Sequence, residues 1–211
     1  MKKVFLLLIF LAQTLFITAQ INAITETGDE VVLYKDGTWI YVNDELNKES
    51  EIPVNPTEFT KDKKATFLVK SKTTDIGIWI NPKNWKFAKA TSNKDAEFEF
   101  SNKTGDLYGI LITERMVIPL ETLKSIAYEN AKSAAPDVRI IKEEYRTVNG
   151  LKVLMMQMQG TIQGIKFVYF GYYYSYPGGT VQLLAYTSRE IFNEKQDELE
   201  TFLNGFVKLS D

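Results

Sequence analysis

The chain has 211 residues, with 25 Lys and Arg against 27 Asp and Glu, and contains neither His nor Cys. Without imidazole or thiol there is no His-type serine triad, no thiolate nucleophile, no disulfide and no ordinary zinc or iron–sulfur site. A net charge of −2 leaves no basic footprint for a phosphate backbone, so no nucleic-acid partner is expected, and chemistry is left to carboxylates, Lys, Tyr and Ser.

Residues 1–23 read MKKVFLLLIFLAQTLFITAQINA: two lysines, an apolar run from Val4 to Ile17 broken by Gln13 and Thr14, then small and polar residues. This is the pattern of a secretory signal peptide, and the run of about 14 residues falls short of the roughly 20 that span a bilayer. Residues 1–19 are the expected signal peptide, cleaved after Ala19, with Ala23 as the second choice. With no Cys for lipid attachment, the expected product is periplasmic or extracellular, is not a lipoprotein and has no stable membrane insertion.

Residues 20–42 then predict an N-terminal β-hairpin, in which Val31–Tyr34 and Thr38–Val42 flank Lys35-Asp36-Gly37. Asp-Gly between alternating apolar residues is a strong hairpin signal, and Trp39 and Tyr41 supply its apolar surface. Residues 43–57 lose apolar periodicity, collect Asn, Glu, Ser and two prolines, and read as a linker.

The main domain, residues 58–211, begins with predicted strands at Ala65–Lys70 and Ile76–Ile80, followed by a turn through Asn81-Pro82-Lys83-Asn84 that closes on Trp85. Ala96–Ser101 alternates Phe98 and Phe100 against Glu97 and Glu99, and pairs through a hairpin with Leu107–Thr113. Asp95, Glu97 and Glu99 then share a strand face, which reads either as a solvated face or as part of a Ca²⁺ site.

A helix starts at Pro119 and stops before Pro136, with Leu120, Leu123, Ala127, Ala131 and Ala134 on one narrow stripe suited to close packing on a sheet. Arg139–Thr147 and Leu151–Gln159 form a second hairpin about Asn149-Gly150, and Glu143 and Glu144 point to opposite faces of its first strand. Met155, Met156 and Met158 read as core filling or a plastic binding surface. Ile165–Tyr174 and Thr180–Thr187 follow, joined through Pro177-Gly178-Gly179. Asn193 is the expected cap of the last helix, whose apolar stripe is Leu199, Phe202, Leu203 and Phe206. The pattern implies an α+β domain: an antiparallel sheet of about six or seven strands covered by helices, plus the N-terminal β-hairpin.

This order of elements, the Asn81–Trp85 turn, the helix start Leu120-Glu121-Thr122-Leu123, the Asn149-Gly150-Leu151 turn and the final Asn204-Gly205-Phe206 resemble the PsbP-like fold. That fold is shared by the PsbP subunit of photosystem II, secreted bacterial relatives and a Ran-binding nuclear import factor. The resemblance covers Glu58 to Leu209. It implies an α/β/α sandwich, no inherited catalytic motif, no cofactor and a role in binding or assembly. The leader directs the chain away from Ran, and no His is present to serve a photosystem metal role.

The densest cluster is Phe167, Tyr169, Phe170, Tyr172, Tyr173, Tyr174 and Tyr176, in which alternation sets Phe167, Tyr169 and Tyr173 against Phe170, Tyr172, Tyr174 and Tyr176. One reading makes this a stacking platform and the other makes it core. The candidate binding residues are Tyr172, Tyr173, Tyr174, Tyr176, Trp39 and Trp85, with no catalytic or metal-ligating residue. The expected function is an exported, non-enzymatic binding or assembly accessory of the cell envelope, with an unnamed protein or envelope component as partner and the oligomeric state open. Two alternatives stand beside it. A carboxylate-based glycan hydrolase requires two acids about 5 to 9.5 Å apart in a cleft. A small-ligand carrier requires an apolar cavity of roughly several hundred Å³ between sheet and helix.

Overall fold

Residues 21–25, 28–34, 39–43 and 52–209 are described in this computed structural model, in two units that divide after Glu51. The expected signal peptide, the Asp36-Gly37 turn and residues 44–51 of the expected linker lie outside the described residues. No helix among the described residues is long and apolar enough to cross a membrane.

In the first unit, β1 (Ile21–Ile24), β2 (Glu30–Leu33) and β3 (Trp39–Tyr41) form an antiparallel sheet in that order. The sequence reading contains only β2 and β3. The extra strand arises because the chain reverses at Gly28, at φ +90°, where the Gly28 N–H donates to the Thr25 carbonyl at 2.9 Å.

The second unit is built on eight strands in the order β4-β10-β11-β12-β13-β9-β8-β7. They are β4 (Val54–Phe59), β7 (Trp85–Lys89), β8 (Ala96–Asn102), β9 (Tyr108–Glu114), β10 (Arg139–Val148), β11 (Leu151–Ile162), β12 (Ile165–Tyr176) and β13 (Gly179–Ser188). A smaller sheet pairs β5 (Phe67–Lys70), β6 (Ile76–Ile80) and β14 (Phe206–Lys208) in the order β14-β6-β5. The Asn149-Gly150 turn forms as read: both residues have positive φ, and Val148 pairs with Leu151. Gln163-Gly164 makes a second turn of the same kind between Ile162 and Ile165.

The sheet departs from the expected six or seven antiparallel strands in two places. Val54–Phe59, of which residues 54–57 read as linker, is an edge strand running parallel to β10. Pro53 and Pro56 obscure it in the sequence, yet proline is tolerated at a sheet edge, where a missing N–H leaves no ladder bond unmade. At the other edge Trp85 does not merely close a turn. It begins β7, pairs with Asn102, and stacks on Phe202 with ring centroids 4.2 Å apart.

Two helices, α1 (Leu120–Ala134) and α2 (Arg189–Leu203), pack on opposite faces and cover each only in part. Helix α2 starts four residues before the expected cap, with Ser188 at its N-cap position, because Phe192 belongs to its buried stripe together with Leu199, Phe202 and Leu203. On that face Phe192, Phe202 and Phe206 join Phe170, Leu183 and the apolar residues of β5 and β6 in the main core. Helix α1 buries only Leu123 and Ala127, against Leu154, Met156 and Tyr173.

Candidate functional site

The alternation of β12 divides its aromatic run between these two faces. Tyr172 is fully buried on the α2 side, where its hydroxyl donates to Asn204 Oδ1 at 2.7 Å and accepts from Arg146 at 3.2 Å. Arg146 also bonds Glu144 Oε1 at 2.6 Å and pairs with Glu200, and its guanidinium lies 4.3 Å over the Phe59 ring. Burial opposes ionisation of Glu144, but hydrogen bonds from Asn55, Arg146 and Lys142 prevail and hold its carboxyl below the ordinary value. Burial pushes the Tyr172 phenol up to about 12. This is a closed network. Tyr176 is likewise committed, its oxygen accepting the Asp75 N–H at 3.0 Å, while half-buried Tyr174 stacks on Tyr176 at 5.2 Å.

The structure therefore corrects the picture of an open Tyr-rich platform. Tyr172, Tyr173 and Tyr176 are buried, Trp85 is buried beneath α2, and of the β12 candidates Tyr174 alone keeps partial exposure. Trp39 lies in the other unit, 49% exposed and edge-on to Tyr41 with ring centroids 5.0 Å apart.

Tyr173 points the other way, under α1, and marks a site that the sequence reading did not assemble. A cavity of about 310 Å³ lies between the helix and the sheet. Its floor is Tyr169 and Tyr173 of β12, Gln182 and Leu184 of β13, Ile110 and Ile112 of β9, and Met158 of β11. Its roof is α1, through Leu123, Ile126, Ala127, Asn130, Ala131 and Ala134. The alanine stripe that predicted close packing packs only in part: Ala127 is buried on the sheet, but towards the helix C-terminus Ala134 stays exposed, and a groove is left. Gly171, between the two tyrosines, widens the floor. A Cβ there would stand 2.6 Å from Leu184 Cδ2 and 3.2 Å from Tyr173 Cε2.

Two polar side chains at the groove are hydrogen-bonded, Thr180 and Asn93, whose Oδ1 accepts the Asp95 N–H at 2.9 Å. The Thr180 hydroxyl donates to the Met116 carbonyl at 2.6 Å and accepts the Ile118 N–H at 3.1 Å. Gln182 and Tyr173 are the most buried of those that are not hydrogen-bonded, a group that includes Asp95, Glu114 and Asn130. The two are register partners on one face, 9% and 1% exposed, and neither side chain makes a hydrogen bond with any described residue. Their polar atoms are not sealed in the core, and both residues line the cavity. Burial raises the pKa of Tyr173, with Tyr169 adding to the shift, so the phenol is neutral in the physiological range. Beyond the groove the face continues as an aromatic row, Phe167, Tyr169, Tyr186 and Tyr108, with successive centroids 4.7, 5.2 and 5.4 Å apart.

The expected acidic face is reorganised. A bulge between Ala96 and Phe98 sends Glu97 to the α2 side of the sheet, where it accepts from Ser71 Oγ at 2.7 Å and Thr113 Oγ1 at 2.8 Å. Glu99 stays on the α1 side and is tied to Ser92, which holds its carboxyl below the ordinary value. Asp95 alone of the three reaches the groove rim, beside Glu114. Among the described residues no cluster of carboxylates is placed to hold a metal ion. Glu143 and Glu144 do face opposite ways, the first to Lys124 of α1 and the second to Arg146.

A second cavity of about 310 Å³, beside α2, gathers Asp62, Asp197 and Glu198 near Trp79 and Trp85. Asp62 Oδ1 already accepts the Lys64 N–H at 2.7 Å, and adjacent Asp197 and Glu198 project about 100° apart on their helix, so no facing acid pair is formed by the two. A smaller one of about 260 Å³ holds the basic residues Arg139, Lys166 and Arg189.

No protein-family model and no curated protein matches the chain. Among solved structures it is similar to LpqN, involved in cell envelope biogenesis of Mycobacterium tuberculosis, at 11% identity and TM-score 0.44, over 68% of this chain and 90% of that one. It is similar to PA94, a protein of unknown function from Pseudomonas aeruginosa, at 10% identity and TM-score 0.45, over 69% and 98%. The cyanobacterial PsbP, CyanoP, of Synechocystis sp. PCC 6803 matches at 12% identity and TM-score 0.51, over 67% of this chain and 91% of that chain. That last likeness, joined to the sheet order and the two helices above, gives the chain a PsbP-like fold.

Proposed function

We propose that the protein is an exported, non-enzymatic binding accessory of the cell envelope that holds the apolar part of a ligand in the groove between α1 and the sheet. One observation carries this reading: a cavity of about 310 Å³ walled mostly by aliphatic and aromatic side chains, with the unpartnered Gln182 amide and Tyr173 hydroxyl on its floor. A few convergent polar groups in an apolar cleft are what a small-molecule site requires. The absence of His and Cys from the sequence favours binding over catalysis. Export is supported by the leader pattern. Cleavage after Ala19 leaves β1 whole, whereas cleavage after Ala23 would remove most of it.

The test uses N-phenyl-1-naphthylamine, an uncharged apolar fluorophore, titrated into the purified protein. Saturable binding at one site is expected, and it should disappear in Ala134→Trp, which places an indole in the groove from an exposed position. Equal binding by a folded Ala134→Trp variant, checked by circular dichroism, overturns the reading.

A further inference from the structure

We infer that the groove selects a small organic cation, an alkyl- or arylalkylammonium compound whose apolar body lies over Tyr173 and whose charged end reaches Asp95 and Glu114; this rests on the groove reading above. Asp95 and Glu114 are the only charged side chains lining the cavity among the described residues, and no Lys or Arg joins them. They stand at one end of it, because Ala96 pairs with Ile112 and so brings the start of β8 beside the end of β9. Neither carboxylate takes part in an ion pair among the described residues. Arg115, next to Glu114, instead turns its guanidinium to the Thr73 carbonyl.

The second observation is independent of charge. Gln182, nine-tenths buried, lines the cavity with an amide that has no hydrogen bond among the described residues, and Tyr173, which also lines it, is its register partner on the next strand. Amide and hydroxyl can each donate or accept, so they accommodate an ammonium head, and it is the rim that selects for charge: a carboxylate ligand would add a third anion to it. The basic residues Arg139, Lys166 and Arg189 line a different cavity, and Lys64 lines the one beside α2.

Calorimetric titration of the purified protein with octylammonium, 1-octanol and octanoate separates the contributions, since the three share a chain length. Octylammonium is expected to bind about five- to tenfold tighter than octanol, the scale of two partly exposed ion pairs, and octanoate weakest. Asp95→Asn with Glu114→Gln, both at exposed positions, should reduce that advantage over octanol to under about twofold. Added salt should erode it likewise. Octanoate binding as tightly as octylammonium, or the double variant keeping the full advantage, overturns the inference. If all three bind equally and all are lost in Ala134→Trp, the groove reading stands and the selectivity fails. If none binds, both fail.

Discussion

Helix α2 covers its face of the sheet with Phe192, Leu199, Phe202 and Leu203, whereas α1 offers the opposite face only Leu123 and Ala127. Both helices have 15 residues, so the difference lies in side-chain size. Large residues on α2 interlock with Trp85, Phe100 and Phe170, while alanines on α1 leave a groove. The polar groups follow the same division. Under α2, the charged residue Arg146 and Tyr172 are fully paired; under α1, Gln182 and Tyr173 are not. A protein interior tolerates polar groups when their partners are built in. Where the partners are left out beside a cavity, stability is expected to be lower, and the proposed ligand would supply them.

The most direct way to break this comparison is to truncate one anchor on each face. Phe202→Ala removes a ring stacked on Trp85 and edge-on to Phe100 at 5.1 Å, and should cost about 3 to 5 kcal/mol in urea denaturation. Leu123→Ala should cost about 2 kcal/mol, the low end for such a change, because the groove already leaves one side of Leu123 unpacked. Equal losses would mean that the two faces are packed alike.

Removing Arg146 sharpens the contrast in polar groups. Arg146→Ala leaves Glu144, 7% exposed, with Lys142 as its one remaining cation and removes the donor shared by Tyr172 and Glu200, at a cost of about 3 kcal/mol. The same network sets an acid limit. Because the folded Glu144 pKa lies below its ordinary value of 4.5, its contribution is fully present above that value and is lost as pH falls through the lowered one. Urea midpoints measured from neutrality downward should therefore drop below about pH 4.5, and drop less steeply in Glu144→Gln. Parallel curves for the two proteins would show that the network does not carry the acid response.

What could be read from sequence follows the same division. The α2 side declared itself: Leu199, Phe202 and Leu203 fall at helical spacing, and Phe98 and Phe100 at strand spacing, so period and burial agree. The alternation of the tyrosines was equally legible, but not which half stays open, because exposure depends on what a distant helix contributes. The groove was not legible. An alanine stripe signals a close approach or a gap with equal force, and only the sheet beneath it decides. Gln182 did leave a trace, an amide between Val181 and Leu183 in an otherwise apolar strand, but its strand partner Tyr173 is set by register alone. The edge strand at Val54–Phe59 was hidden by its prolines, and the Glu97 bulge by a perfect alternation in sequence that the backbone does not keep.

The smallest expected effect bears most directly on the comparison. In an ordinary core, replacing a nine-tenths buried glutamine with leucine breaks hydrogen bonds and destabilises by about 1 to 3 kcal/mol. Gln182 has no such bonds to break among the described residues. Leucine has similar volume, and it would exchange an unpartnered amide for apolar packing on Ile112 and Leu184 across the groove floor. Gln182→Leu should then raise the melting temperature, by about 2 to 4 °C for a gain near 1 kcal/mol in a chain of this size. Affinity for octylammonium should fall in the same variant, because the amide oxygen that accepts its N–H is gone. A variant both more stable and weaker at binding is the signature of a residue kept for its ligand, whereas a loss of stability would place Gln182 with Tyr172 and Arg146, as part of the framework.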